Sequence, residues 1–286
     1  MGERCAVPAR GARSIDEPGR SDQLSLSFEP LLPAAPETLR PMLPRSAPGP
    51  FDSADHLFEP HWGGRRALAF LEPAVVETSG GAFLTADGSP SVRLFDDGHD
   101  LAPRLPELAG LALRLEGTSA VLDGELVVVD RAGRADASAL ERRLAGGLGR
   151  PVAYLVFDIL SLDGRLLLSW PLARRRRELA RVVRSGPEVV VVPATLGEGR
   201  ALHEAVAAQG LSGVLARVRS SPYLPGIRSR LWRTFAAGAE GEPDPSPALS
   251  DDDAALATEE PVTANAPVLA VIERLPLLDE PVEPDR

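Results

Sequence analysis

Between Arg40 and Ala236 the sequence breaks into short apolar runs, each stopped by Gly, Pro or Asp before it reaches helical length. The runs lie at Arg66 to Leu71, Val92 to Phe95, Val121 to Val129, Val152 to Leu160, Val189 to Val192, Gly213 to Val218 and Leu231 to Phe235. At that length, alternating or Val/Leu-rich runs predict strands. Between them, Leu105 to Leu115, Ala137 to Leu144, Pro171 to Val183 and Gly199 to Gln209 read as helices, the last with Leu202, Ala205 and Val206 on one face and Gly210 as its stop. Links such as Leu126 to Arg134, with Asp130-Arg131-Ala132-Gly133 as a turn, predict an α+β fold of largely antiparallel sheets flanked by helices.

The segments outside this region have a different composition. Residues 1–37 are Pro, Gly, Ser and charge without a period and are expected to form a disordered arm. Residues 38–237 form the expected folded domain, and 238–286 an acidic disordered tail that includes Asp251-Asp252-Asp253. One apolar island, Ala266 to Leu278, suits either a short partner-binding helix or strand, or a segment that docks loosely on its own body. Of the 41 acidic residues, 13 lie beyond Ala236 against two arginines, so the formal charge of −10 belongs to the tail and the folded part is close to neutral. A neutral body neither demands nor forbids nucleic acid, because binding needs a local basic stripe. No apolar run approaches the roughly 20 residues of a membrane helix, and the N-terminus has no apolar signal segment, so a cytoplasmic protein without a membrane partner is expected. Cys5 is the only cysteine, and His56, His61, His99 and His203 show no paired ligand spacing, which argues against thiolate chemistry and a histidine metal site.

The sequence contains no lysine: every basic side chain is arginine. That bears on five stretches read in order. "RPML" (Arg40 to Leu43) with "FDSADHLFEPHWGGRRALAF", "LDGELVVVD" from Leu122, "YLVFDILSLDG" from Tyr154, "GLSGVLARVRSSPYLPGIRS" from Gly210 and "RLWRTFA" from Arg230 together resemble the adenylation domain of ATP-dependent DNA ligases, the bacterial end-joining type above all. The resemblance runs from Arg40 to about Ala236 and implies the nucleotidyltransferase fold of that family.

In such enzymes a lysine amine attacks the α-phosphate of ATP, and the bound AMP passes to a DNA 5′-phosphate before the nick closes, with cations and Mg²⁺ stabilising the transferring group. The family's K-x-D-G lysine falls here on His61 and its aspartate on Gly63, while Gly64 and Arg66 agree. An arginine of the next motif, within "RLFDDGHDLAPRLPEL", falls on Asp96, where an anion would repel a triphosphate. The glutamate and lysine of a later motif fall on Ser212 and Arg217, and the last two lysines on Thr234 and Ala236. The resemblance therefore implies His61 and Arg217 at the catalytic positions, Glu59, Arg66, Glu125 and Phe157 at nucleotide-binding positions, and Glu125 as the metal-side carboxylate. It implies ATP and Mg²⁺ as cofactors, and nicked or broken duplex DNA or a DNA-repair protein as partner. The family's oligonucleotide-binding barrel has no counterpart in the short acidic segment after Ala236.

Without a lysine the customary lysyl-adenylate cannot form, so the leading expectation is a degenerate ligase-like domain with residual nucleotide, DNA-end or partner binding. The alternatives are an active nucleotidyltransferase that uses His61 or a partner's groups, and an interaction protein that acts through its acidic tail. Several motif residues also suit purely structural roles. Asp123-Gly124-Glu125 fits a turn or bulge in a strand pair, and Phe157 fits a core position. Trp62 and Trp232 fit packing between sheets, and Trp170 a core. Arg174 to Arg177, spread around a helix, are expected to be solvated or packed along their stems.

Overall fold

The computed structural model describes residues 39–72, 75–78, 81–84, 91–96, 98–237 and 265–275. The arm expected over residues 1–37, Cys5 and most of the tail lie outside them. Among the described residues, two sheets stack face to face. The first has the order β1 (Leu43–Ser46), β14 (Arg228–Ala236), β13 (Gly213–Val218), β2 (Ser53–His61) and β12 (Thr195–Gly197). The second runs β10 (Arg165–Leu166), β9 (Ala153–Leu162), β8 (Ala120–Val127), β3 (Arg65–Glu72), β6 (Ser91–Asp96) and β7 (His99–Asp100), with β11 (Val189–Val191) paired to β9. A hairpin of β4 (Val75–Thr78) and β5 (Gly81–Leu84) stands apart from both. Pairing is antiparallel except for β1 with β14 and β11 with β9.

Register decides which residues meet. In the first sheet Glu59 stands opposite Leu215, His61 opposite Gly213, and Arg217 opposite both Leu57 and Trp232, so Glu59, His61, Arg217 and Trp232 share one face. The other face carries Phe58, Val214, Ala216 and Phe235, which pack against Leu202 and Val206 of α3 (Gly199–Ala208). In the second sheet Arg66 stands opposite Glu125 and Leu68 opposite Asp123, so these residues face the first sheet. Ala67, Ala69 and Leu71 point away, into a core built with α1 (Ala137–Leu144) and α2 (Leu172–Val182). Strands β8 and β9 are buried along their whole length, as near-continuous apolar runs should be when both faces are covered.

Helix α1 falls at the expected bounds because Asp136 caps it, its carboxylate accepting the Ala139 N–H at 2.9 Å. Residues 105–115 differ from expectation and form a 3-10 helix, Pro106–Arg114. Leu105, Leu108 and Leu111 recur every third residue and are buried together, which suits three residues per turn. The Asp130 to Gly133 turn forms, with Gly133 at φ +82°, but it leads through a Val129–Ala135 bridge into α1 and does not join paired strands directly. The apolar island beyond residue 265 is a fourth helix, α4 (Ala266–Glu273), docked on the body through Val268 and Val271.

Gly124 tests the close approach of β8 and β9. A Cβ there would lie 2.5 Å from the Leu155 carbonyl oxygen and 2.7 Å from the Tyr154 ring. That ring is wholly buried and its hydroxyl donates to the Ala67 and Leu122 carbonyls at 3.0 and 3.2 Å, so it cannot swing aside. Gly124→Ala should cost about 1–3 kcal/mol, read as a lower urea midpoint; an unchanged midpoint would contradict this packing.

Candidate functional site

Strand β2 ends at His61, and the chain turns through Trp62, Gly63 and Gly64 into β3. Gly63 adopts φ +80°, and a Cβ there would lie 2.6 Å from Ser212 Oγ, which donates to the Trp62 carbonyl at 2.6 Å. Glu125 reaches the same turn from β8. Its Oε1 accepts the Trp62 N–H at 3.2 Å and its Oε2 the Gly64 N–H at 3.0 Å, while His61 Nδ1 lies 3.4 Å from Oε2. Burial opposes charge on the imidazole, but the Glu125 carboxylate outweighs it and raises His61 above its ordinary 6.5. Burial likewise opposes the Glu125 anion, yet His61 and the two backbone N–H groups hold it below its ordinary 4.5. Glu125 is thus engaged in fixing the corner.

Behind this corner the facing sides of the two sheets meet through buried ions. Arg66 donates to both Asp123 oxygens at 2.5 and 2.6 Å, and Asp123 accepts the Tyr223 hydroxyl at 2.6 Å. The Tyr223 oxygen in turn accepts the Met42 N–H at 2.9 Å, which ties the "RPML" segment to the same point. Burial and the Asp123 charge keep the Tyr223 phenol protonated well above its ordinary range. Glu59 pairs with Arg217 through Oε2 and lies 2.9 Å from Arg176 through Oε1. Arg175 makes a two-pronged pair with Asp158, both bonds at 2.8 Å, and donates to the Trp170 and Ser221 carbonyls.

Two of the four consecutive arginines depart from the solvated or stem-packed role expected for them. Arg175 is fully buried, and Arg176 donates to the Phe157 and Val192 carbonyls at 2.8 and 2.5 Å. Arg174 stacks on Trp170, 3.5 Å from the ring centroid. The two charged heads turn inward because α2 packs on the second sheet beside Asp158 and Glu59, which need cations where no water reaches.

Phe157 lies among these ions. The Arg66 and Arg217 guanidinium carbons are 4.5 and 4.6 Å from its ring centroid, and 5.4 and 4.9 Å from that of Trp232. The space between the two rings is therefore filled by two stacked cations. Phe157 is 5% exposed, Glu59 1% and Arg217 not at all. One ion pair does not satisfy the five N–H groups of a guanidinium: Arg217 Nε and Nη1 have no hydrogen-bond partner, and burial lowers its pKa to about 9, still cationic at neutral pH.

The structure thus brings Glu59, His61, Arg66, Glu125, Phe157 and Arg217 to one inter-sheet site. The other motif positions lie at its rim, where Ser212 and Ala236 are exposed and Thr234 is half-buried. Asp96, expected to put an anion where the family has an arginine, is 3.2 Å from Arg65. Sequence reasoning missed Asp158, Arg175, Arg176 and Tyr223 as parts of the ion cluster. The one available signal was the placement of Asp158 and Tyr223 inside two of the quoted motifs.

Two stacked sheets that carry these motif positions on their facing sides define a ligase-type adenylation fold. Residues 98–234 match the profile of the ATP dependent DNA ligase domain, and the chain is similar to ligases of the bacterial end-joining type. It is 36% identical over 151 residues to a probable DNA ligase of Streptomyces avermitilis, covering 46% of this chain and 28% of that protein. It is 33% identical over 175 residues to the multifunctional non-homologous end joining protein LigD of Mycobacterium bovis, covering 61% of this chain and 21% of that one. Among solved structures, mycobacterial DNA ligase D complexed with ATP and MES superposes with a TM-score of 0.58 at 29% identity, over 70% of this chain and 60% of that chain. The chain spans less than a third of the length of either curated relative.

The His61–Glu125 pair has a definite pH signature. The raised His61 pKa means that its contribution to stability is complete below the ordinary 6.5 and is lost as pH rises through the raised value. The lowered Glu125 pKa means that its contribution is present above 4.5 and is lost as pH falls through the lowered value. In Glu125→Gln the His61 titration midpoint, followed by NMR, should drop below that of the unmodified protein, because burial and Arg66 remain without the opposing carboxylate. An unmoved midpoint would mean that the pair does not form.

Proposed function

We propose that this chain is a ligase-like domain that has lost lysyl-adenylate chemistry and keeps the fold as a scaffold that engages DNA ends. The observation that carries the reading is the filling of the inter-sheet site by its own side chains. At the nucleotide-binding positions Glu59, Glu125 and Phe157 are buried, half-buried Arg66 is bound to Asp123 and lies over Phe157, Glu59 is paired with Arg217, and the sequence offers no lysine to take up AMP.

The arrangement does not fit ATP and Mg²⁺. An adenine ring stacked on Phe157 would have to displace two guanidiniums and break the Arg66–Asp123 and Arg217–Glu59 pairs. Both Glu125 oxygens already accept backbone N–H groups. Among the described residues no group of three or more His, Cys, Asp or Glu side chains could hold a metal ion.

Binding of a polyanion draws support from a different place. Arg45, Arg228, Arg230 and Arg233, on the neighbouring strands β1 and β14, have no carboxylate partner among the described residues. Guanidiniums free of carboxylates suit phosphate oxygens, which they can meet with two parallel hydrogen bonds.

A second reading has one observation in its favour: the contact between His61 Nδ1 and Glu125 would orient the imidazole with its other nitrogen free, as a nucleophile requires. One set of measurements separates the readings. With labelled ATP and Mg²⁺ the purified chain should acquire no covalent nucleotide and seal no nick. In fluorescence anisotropy it should bind nicked or blunt-ended duplex at low salt, with affinity falling steeply as salt rises, by a slope of about 0.9 per phosphate contact. Arg228→Gln with Arg230→Gln should weaken that binding several-fold. A nucleotide adduct on His61, or a sealed nick, would replace the scaffold reading with the second one.

A further inference from the structure

Beyond β14 and Ala237 the described chain resumes at Asn265 and forms α4 against the rim of the two sheets. An eight-residue helix is too short to persist in water by itself, so its shape depends on what it touches. Val268, Val271 and Leu275 lie on one side, all but fully buried, and join an apolar cluster that includes Trp62, Val127, Val129 and Leu155. Polar contacts fix both ends. The Asn265 N–H donates to the Pro187 carbonyl at 3.2 Å and its side-chain amide to the Gly186 carbonyl. At the other end Arg274 Nη2 donates to the Ala132 carbonyl at 3.2 Å.

The seat of the helix is the Asp130 to Gly133 turn, and the fit leaves no room for a side chain at Gly133. A Cβ there would lie 2.6 Å from the Pro267 carbonyl oxygen and would collide with Val271. The φ of +82° at Gly133 excludes most other residues independently. On its opposite side the Gly133 carbonyl accepts the Trp62 indole N–H at 3.0 Å. Trp62 is the first residue of the corner that Glu125 holds through the Trp62 and Gly64 amides. A continuous line of contacts therefore runs from α4 through Gly133 and Trp62 to the corner beside His61.

We propose that residues 265–275 are an in-cis helical ligand of the sheet body, whose docking on the Gly133 turn fixes the Trp62 indole and thereby the corner from His61 to Gly64. The groove between the Gly133 turn and the Gly186–Pro187 loop is then a helix-binding site. It selects an apolar i, i+3, i+7 face preceded by an asparagine that reaches the Gly186 carbonyl. This proposal is independent of whether the inter-sheet site binds nucleotide.

The test uses Val271→Asp in the full chain, which puts a charge on the buried side of α4, and Arg274→Ala, which removes only the Ala132 contact. Hydrogen exchange read by NMR should show the α4 amides losing most of their protection in Val271→Asp and exchanging several-fold faster in Arg274→Ala. The β8 and β9 amides should stay protected in both. The Trp62 indole N–H should exchange faster in the same order, which loss of a merely peripheral helix would not cause. A synthetic peptide of residues 264–276, added to Val271→Asp, should bind saturably and restore protection of the indole N–H. Three results would overturn the proposal: collapse of the whole body in Val271→Asp, which would make α4 an integral part of the core; release of α4 with the Trp62 indole unaffected; and failure of the peptide to bind.

Discussion

The two sheets of this domain are joined at the candidate site by charge, and the rest of the site follows from how that charge is neutralised. Asp123, Asp158 and Glu59 lie between the sheets at 1% exposure or less, where an unpaired carboxylate would be expelled or protonated. Each instead meets a guanidinium: Arg66 with Asp123, Arg175 with Asp158, and Arg217 with Arg176 around Glu59. Removing one member of such a pair typically costs about 3–5 kcal/mol, because the survivor is left buried and alone. The ions therefore lock one another in place, and the aromatic rings of Phe157 and Trp232 lie against the Arg66 and Arg217 guanidiniums.

That arrangement gives physical meaning to a sequence without lysine. A guanidinium is planar, stacks on rings and serves several acceptors at once, whereas an ammonium is a compact and strongly hydrated charge. Arg217 illustrates the difference: it reaches Glu59 while lying against two rings, and it keeps its charge despite burial. An amine in its place could be poised near neutrality for covalent chemistry; a guanidinium cannot. Glu125 has a structural task of the same kind, since its oxygens close the turn after β2 and its charge is balanced by His61.

Much of the architecture was legible because burial and period agree along the chain. Strands β8 and β9 read as unbroken apolar runs, and α1 shows both its capping Asp136 and its apolar face. The approach of Glu59, His61, Arg66, Glu125, Phe157 and Arg217 followed from ordered motifs, since register then places alternate residues of β2, β13 and β14 on one face. Strand β2 was missed because Leu57, Phe58, Glu59 and Pro60 are all buried, so no alternation marks it, and Pro60 weighs against a strand. The inward turn of Arg175 and Arg176 could not be read from a run of four arginines, because the deciding partners, Asp158 and Glu59, come from other strands. Docking of α4 was likewise hidden, since a sequence that supplies an apolar island does not show the Gly133 seat that receives it.

The central claim is that ion pairs and two stacked guanidiniums fill the place where a purine would lie. Isothermal titration of the purified chain with ATP and Mg²⁺ tests it most directly, because it asks about occupancy and not about catalysis. No saturable heat is predicted up to millimolar nucleotide. One-to-one binding in the micromolar range, lost in Phe157→Ala, would contradict the account.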